Sequence, residues 1–195
     1  GNRISFTPHV WMDPPYMYCF NNFDECGDMC TNKGRYCEYA PDLIGPGVTG
    51  SQVIVEDLRQ LCLWQSVGNS SAATWWRYVN QFTQNCRGAR ARAHTHTHTR
   101  ARAWRRVLTA PPAGSRFTTA CSDQQLQGLG VDMTKFYRCI SDSGGVDWDS
   151  GENRLLNAEL ARQYDMNLFH FPVVLVNGVR LQGACSCPLL PLLPP

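Results

Sequence analysis

Phe171-Pro172-Val173-Val174-Leu175-Val176-Asn177-Gly178-Val179-Arg180-Leu181 contains two β-rich runs that meet at Asn-Gly, the strongest short hairpin signal. Pro172 stands directly before the first run, a position where a strand tolerates proline. Upstream the apolar period lengthens. Val55, Leu58, Cys62 and Trp64 recur at helical steps behind Ser51, the candidate cap. A second helix is expected over residues 72–86, with Trp75, Val79, Phe82 and Cys86 on one face, so Cys86 should point inward. Two short helices are expected over 121–129 and 133–140, broken at Gly130. A longer one, over 152–164, carries Leu155, Leu156, Glu159 and Leu160. Another short strand is expected over 6–11. Helices in the middle and strands toward the ends make an α+β class.

With 195 residues, 43% apolar and 11% aromatic, the chain has material for one domain with a core, and bulk disorder is excluded. Ten cysteines form an even set, which points to an oxidising compartment. Cys19, Cys26, Cys30, Cys37, Cys62, Cys86, Cys121 and Cys139 are the disulfide candidates, with Cys185 and Cys187 in the tail. Their pairing stays open, because ten cysteines allow too many connectivities. Asn69-Ser70-Ser71 is a glycosylation sequon in a polar stretch between two helical patterns, which makes Asn69 the candidate acceptor. The start, Gly1-Asn2-Arg3-Ile4-Ser5-Phe6, carries no signal-peptide pattern, and no window has the ~20 apolar residues of a membrane helix. Mature, soluble or truncated material is expected, with any membrane anchor in sequence beyond it and no membrane contact by this segment.

The net charge of +2 gives no footprint for nucleic acid. It also conceals a division: seven of the 18 basic residues lie in 88–116, which has no acid, leaving eleven against 16 elsewhere. Within that segment Ala-Arg, then His-Thr, then Arg-Ala alternate from Ala89 to Ala103, as translated GC and CA dinucleotide DNA would. Expanded simple-sequence DNA or translated intron accounts for it, and Pro111-Pro112-Ala113-Gly114 closes it as a loop. His94, His96 and His98 would share a strand face, yet their neighbours are only threonine and arginine, which cannot orient imidazoles around a metal. No metal and no cofactor is assigned. The tail, residues 184–195, ends in a proline-punctuated run of leucines that excludes a long helix or central strand.

Thr7-Pro8-His9, Tyr18-Cys19, Cys26, Cys30, Asn32-Lys33-Gly34-Arg35-Tyr36-Cys37 and Ala40-Pro41-Asp42 follow one another in an order that resembles the central cysteine-rich region of plant and algal vacuolar sorting receptors. The resemblance continues through Leu58-Arg59-Gln60, Cys62, Trp75-Trp76, Tyr78-Val79, Phe82 and Cys86, and resumes at Ala120-Cys121, Leu129-Gly130-Val131-Asp132, Lys135, Cys139, Phe171-Pro172 and Val176-Asn177. It implies a disulfide-bonded, thioredoxin-like α+β domain with a mostly helical insertion, over 1–87 and 117–183, and a lumenal part in capturing soluble cargo. It also implies a protease-associated domain before this region and growth-factor-like repeats after it. The first strand and helix of the thioredoxin fold have no counterpart in these residues, and its last helix is replaced by the tail.

Three functions fit this chain: a cargo-binding module of the secretory-pathway lumen (Golgi, prevacuolar compartment) or exterior, a structural or adhesion component of an extracellular assembly, and a thiol–disulfide oxidoreductase. The last needs two close cysteines with a stabilised thiolate. No Cys-x-x-Cys occurs; Cys26 and Cys30 have three residues between them, and Asp28 would raise a neighbouring thiol. No hydrolase or metalloprotease motif occurs either, so no catalytic residue is assigned. The preferred reading is a non-catalytic module whose partners are soluble protein or peptide cargo and other domains of the same receptor or assembly. In the thioredoxin-like arrangement the proline is cis and beside the peptide surface, which nominates His170, Phe171 and Pro172, with Phe169 and Trp11 as apolar neighbours. His170 would also titrate near lumenal pH.

Overall fold

The computed structural model describes residues 6–14, 19–39, 41, 47–67, 72–87, 116–166, 168, 174–176 and 179–181. The chain divides into two compact units, residues 1–160 and 161–195.

In the first unit the central element is α2 (Gly50–Val67). It has no interior glycine or proline, and it starts in a capping box: the Gln52 N–H donates to Thr49 Oγ1 at 3.2 Å and the Thr49 N–H to Gln52 Oε1 at 3.0 Å. The cap is thus Thr49, one residue outside the helix, and Ser51 sits inside the first turn. Ile54, Leu58, Cys62 and Leu63 are fully buried because neighbours cover more than one side of α2. Those neighbours are α3 (Ala72–Asn85), α4 (Thr119–Gly128), α5 (Met133–Asp142) and the two-residue strands β1 (Cys30–Thr31) and β2 (Tyr36–Cys37). Asp132 caps α5, its Oδ1 accepting from the Thr134 and Lys135 N–H groups, and Gly130 at φ 71° makes the break between α4 and α5.

A short helix, α1 (Phe23–Cys26), leads into β1, which pairs antiparallel with β2 in the register Cys30↔Cys37, Thr31↔Tyr36. Asn32, Lys33 and Gly34 join them in consecutive left-handed conformations, φ 51°, 57° and 83°. A Cβ at Gly34 would strike the Cys19 carbonyl, so only glycine fits there. Asn32 then organises the loop 143–153. Its Nδ2 donates to the Gly151 carbonyl at 2.7 Å, and the Lys33 N–H donates to that of Trp148 at 2.8 Å. Asn153 ends the loop and caps α6 (Arg154–Asp165), accepting from the Leu155 and Leu156 N–H groups. The buried Tyr36 hydroxyl accepts from the Asn153 N–H at 2.8 Å and donates to Asn157 Oδ1 at 2.7 Å.

Residues 6–11 do not form the expected strand. The pairing nearby is an isolated bridge between Asp13 and Cys37. Pro8 lacks a ladder donor, and Phe6 is held by rings instead, its centroid 5.7 Å from Trp64, 5.4 Å from Trp75 and 5.1 Å from Trp76.

Four disulfides lie in this unit. Cys19–Cys26 and Cys30–Cys37 each close a separation of 7 residues and form a small cluster of their own with Met29, Tyr39 and Trp148. Cys62–Cys139 joins α2 to α5, and Cys86–Cys121 joins the chain just after α3 to the first turn of α4. The second unit includes the end of α6 and the hairpin β3 (Val174–Val176) and β4 (Val179–Leu181), in the register Val176↔Val179 around residues 177–178.

Candidate functional site

Glu56 and Arg59, one helical turn apart on α2, are 4% and 2% exposed in the interior of the first unit. Charges so placed need partners. Arg59 Nη2 contacts Asp123 Oδ1, while its Nε–H donates to Ser122 Oγ at 2.7 Å. The guanidinium also lies over Phe136, 4.9 Å from the ring centroid. Ser122 Oγ is 2.5 Å from the Tyr78 hydroxyl, which donates to Glu56 Oε1 at 2.6 Å. Gln60 Nε2 adds a bond to Glu56 at 3.3 Å, and the Tyr137 hydroxyl donates to Asp123 Oδ2 at 2.6 Å. Helices α2, α3, α4 and α5 each contribute to this network. Beside it opens a cavity of about 330 Å³, lined by Ser51, Val55, Glu56, Arg59, Phe82, Phe117 and Thr119 among others.

Burial pushes the Glu56 carboxyl up to about 7, although Tyr78, Arg59 and Gln60 all favour its ionised form. Asp57 is raised by burial and by the like charges of Glu56, Glu38 and Glu159. Tyr78 is raised by burial and by Glu56. Between the ordinary value of 4.5 and about 7 the folded Glu56 keeps a proton that the unfolded chain has released. Its stabilisation is therefore complete below 4.5 and lost as pH rises through about 7. Going from pH ~5 to pH ~8 should cost on the order of 2–3 kcal/mol of stability through this residue. Urea unfolding at both pH values checks it: Glu56→Gln should shrink the difference, and an undiminished difference would contradict the assignment.

His9 Nδ1 sits 3.0 Å from Glu159 Oε2. Among the described residues no group of three or more His, Cys, Asp or Glu side chains is arranged to hold a metal, and no helix is long and apolar enough to cross a membrane. Trp11 is half-buried. Asn69, Phe169, His170, Phe171 and Pro172 lie outside the described residues, as do Cys185, Cys187 and the three repeat histidines. Cys26 and Cys30 are brought near one another, but in separate disulfides, bonded to Cys19 and Cys37. The Glu56–Arg59 network was not anticipated. Its only signal was two charged residues one turn apart within an otherwise largely apolar helical segment.

Residues 1–110 match the family model described as the vacuolar sorting receptor thioredoxin-like domain. Relatives include vacuolar-sorting receptor 2 of Arabidopsis thaliana, 28% identical over 191 residues, and vacuolar-sorting receptor 1 of Pisum sativum, 25% identical over 187; each match covers 94% of this chain and 26% of the relative. Vacuolar-sorting receptor 6 of Arabidopsis thaliana is 26% identical over 191 residues, again 94% of this chain and 25% of the relative. The chain thus spans about a quarter of the length of these receptors. With the match taking in the cysteine-bonded turn around Gly34 and helices α2 and α3, this chain belongs to the vacuolar sorting receptor thioredoxin-like domain family.

Proposed function

We propose that this chain is a non-catalytic lumenal binding module that recognises soluble protein or peptide ligands within a receptor of the secretory pathway, in Golgi or prevacuolar compartments. The observation that carries the reading, beside family membership, is the separation of Cys26 and Cys30 into two disulfides. Redox turnover needs two cysteines that exchange with each other and with substrate. Here each is bonded within its own short loop and is almost fully buried. The peptide-binding residues are assigned as Pro172, Phe171 and His170, with Asn69 carrying glycan and other domains of the same receptor as neighbours.

An insulin-reduction assay run beside capture of a peptide library tests this, using wild type and Pro172→Ala. Peptide capture without turnover, weakened by Pro172→Ala, is the expected result. Turnover that depends on Cys26 or Cys30 would establish the oxidoreductase instead, and no capture at all would leave a structural or adhesion role.

The domain is assigned to residues 1–87 and 117–183, with 88–116 an insertion and 184–195 a tail. Cys86–Cys121 supports this division, since it bonds a residue just before the segment to one just after it, with Cα atoms 5.8 Å apart. Loop length adds little cost once the ends are held. Deleting residues 88–116 should leave the melting temperature within a few degrees; a much larger fall would make the segment structural.

A further inference from the structure

The network beside the cavity is unequally charged. Asp123 takes the Arg59 Nη2 contact and Ser122 takes the Nε–H, leaving Glu56 Oε2 no closer to the guanidinium than 3.8 Å. Two carboxylates share one cation. A buried carboxylate with incomplete pairing is costly, and a second cation entering the cavity would complete the pair. The volume, about 330 Å³, falls within the roughly 300–1,000 Å³ of small-ligand pockets. Val55, Phe82 and Phe117 offer apolar surface for a methylene stem, and the Ser51 and Thr119 hydroxyls offer acceptors for an N–H. Helix α4 directs its N-terminus here, an opposing field of about half a charge, partly met by the Thr118 cap. It is smaller than the full charge that Glu56 carries when ionised, which the shared Arg59 meets only in part.

We propose that this cavity binds the basic side chain of a peptide ligand, a lysine or arginine whose cationic end pairs with Glu56. The assignment rests on the peptide-binding reading above and names its side-chain class.

The groups around Glu56 are Asp57 and Arg59 on α2, Tyr78 on α3, and Ser122 and Asp123 on α4, with Tyr137 of α5 reaching Asp123 and Glu38 and Glu159 beside Asp57. Glu56 titrates near 7 in the empty cavity, so below that pH a cation must displace a proton in order to bind. Affinity therefore falls on acidification.

Calorimetric titration of the full chain with N-acetyl-Ala-Lys-Ala-amide and its norleucine and glutamate counterparts, at about pH 7.5 and about pH 5.5, tests the proposal. The lysine peptide should bind, and roughly tenfold or more weaker at the lower pH. Glu56→Gln and Thr119→Trp, the second a rim position outside the core, should each weaken it by a similar factor. Equal binding of the norleucine peptide, tighter binding at the lower pH, or unchanged affinity in either variant would overturn it. A protein that captures library peptides but ignores the lysine peptide overturns the cavity assignment and leaves the binding-module reading standing; one that captures neither overturns both.

Discussion

Replacing Cys62 and Cys139 together by alanine should lower stability by about 4–5 kcal/mol, the largest loss among the four disulfides. The bond closes a separation of 77 residues and ties the central helix to α5, whereas Cys19–Cys26 and Cys30–Cys37 each close only 7. In the chain-entropy account the long closure restricts the unfolded state most, and the short ones about half as much. For a chain of this size the loss corresponds to a fall in melting temperature of roughly 10–15 °C. Thermal unfolding by circular dichroism without reductant checks it. A smaller fall than that of the Cys19→Ala/Cys26→Ala pair would contradict the assigned role.

Arg59→Ala should be nearly as damaging, at about 3–5 kcal/mol near pH 8. Removing the guanidinium leaves Asp123 and Glu56 without their shared cation and takes away the contact over Phe136. The loss should be smaller near pH 5, where Glu56 holds its proton and only Asp123 is left unpaired. Urea unfolding at the two pH values separates these terms. Equal losses would show that Glu56 is not coupled to Arg59.

The helices were legible because their apolar faces repeat at the helical period, as Leu58 and Cys62 on α2 or Trp75 and Phe82 on α3 do. The β3–β4 hairpin was legible from Asn177-Gly178, whose chemistry is local. The strand expected over 6–11 failed because alternation cannot reveal that Phe6 has three aromatic neighbours from distant helices to pack against. Capping was misread by two residues. Ser51 and Thr49 are both good caps, and only the reciprocal bond with Gln52 distinguishes them. The buried network was missed for a related reason. Glu56 and Arg59 look like an ordinary i,i+3 surface pair, and nothing local shows that Tyr78, Ser122 and Asp123 will converge on them. Pairing of the cysteines likewise depends on which helices pack together, which spacing alone leaves open.

The claim that Cys26 and Cys30 are structural is tested most directly by proteolytic mapping of the native protein under non-reducing conditions, with free thiols blocked before digestion. The expected cross-links are Cys19–Cys26, Cys30–Cys37, Cys62–Cys139 and Cys86–Cys121. A Cys26–Cys30 cross-link, or free thiols at those two positions, would contradict the account and return the chain to redox chemistry.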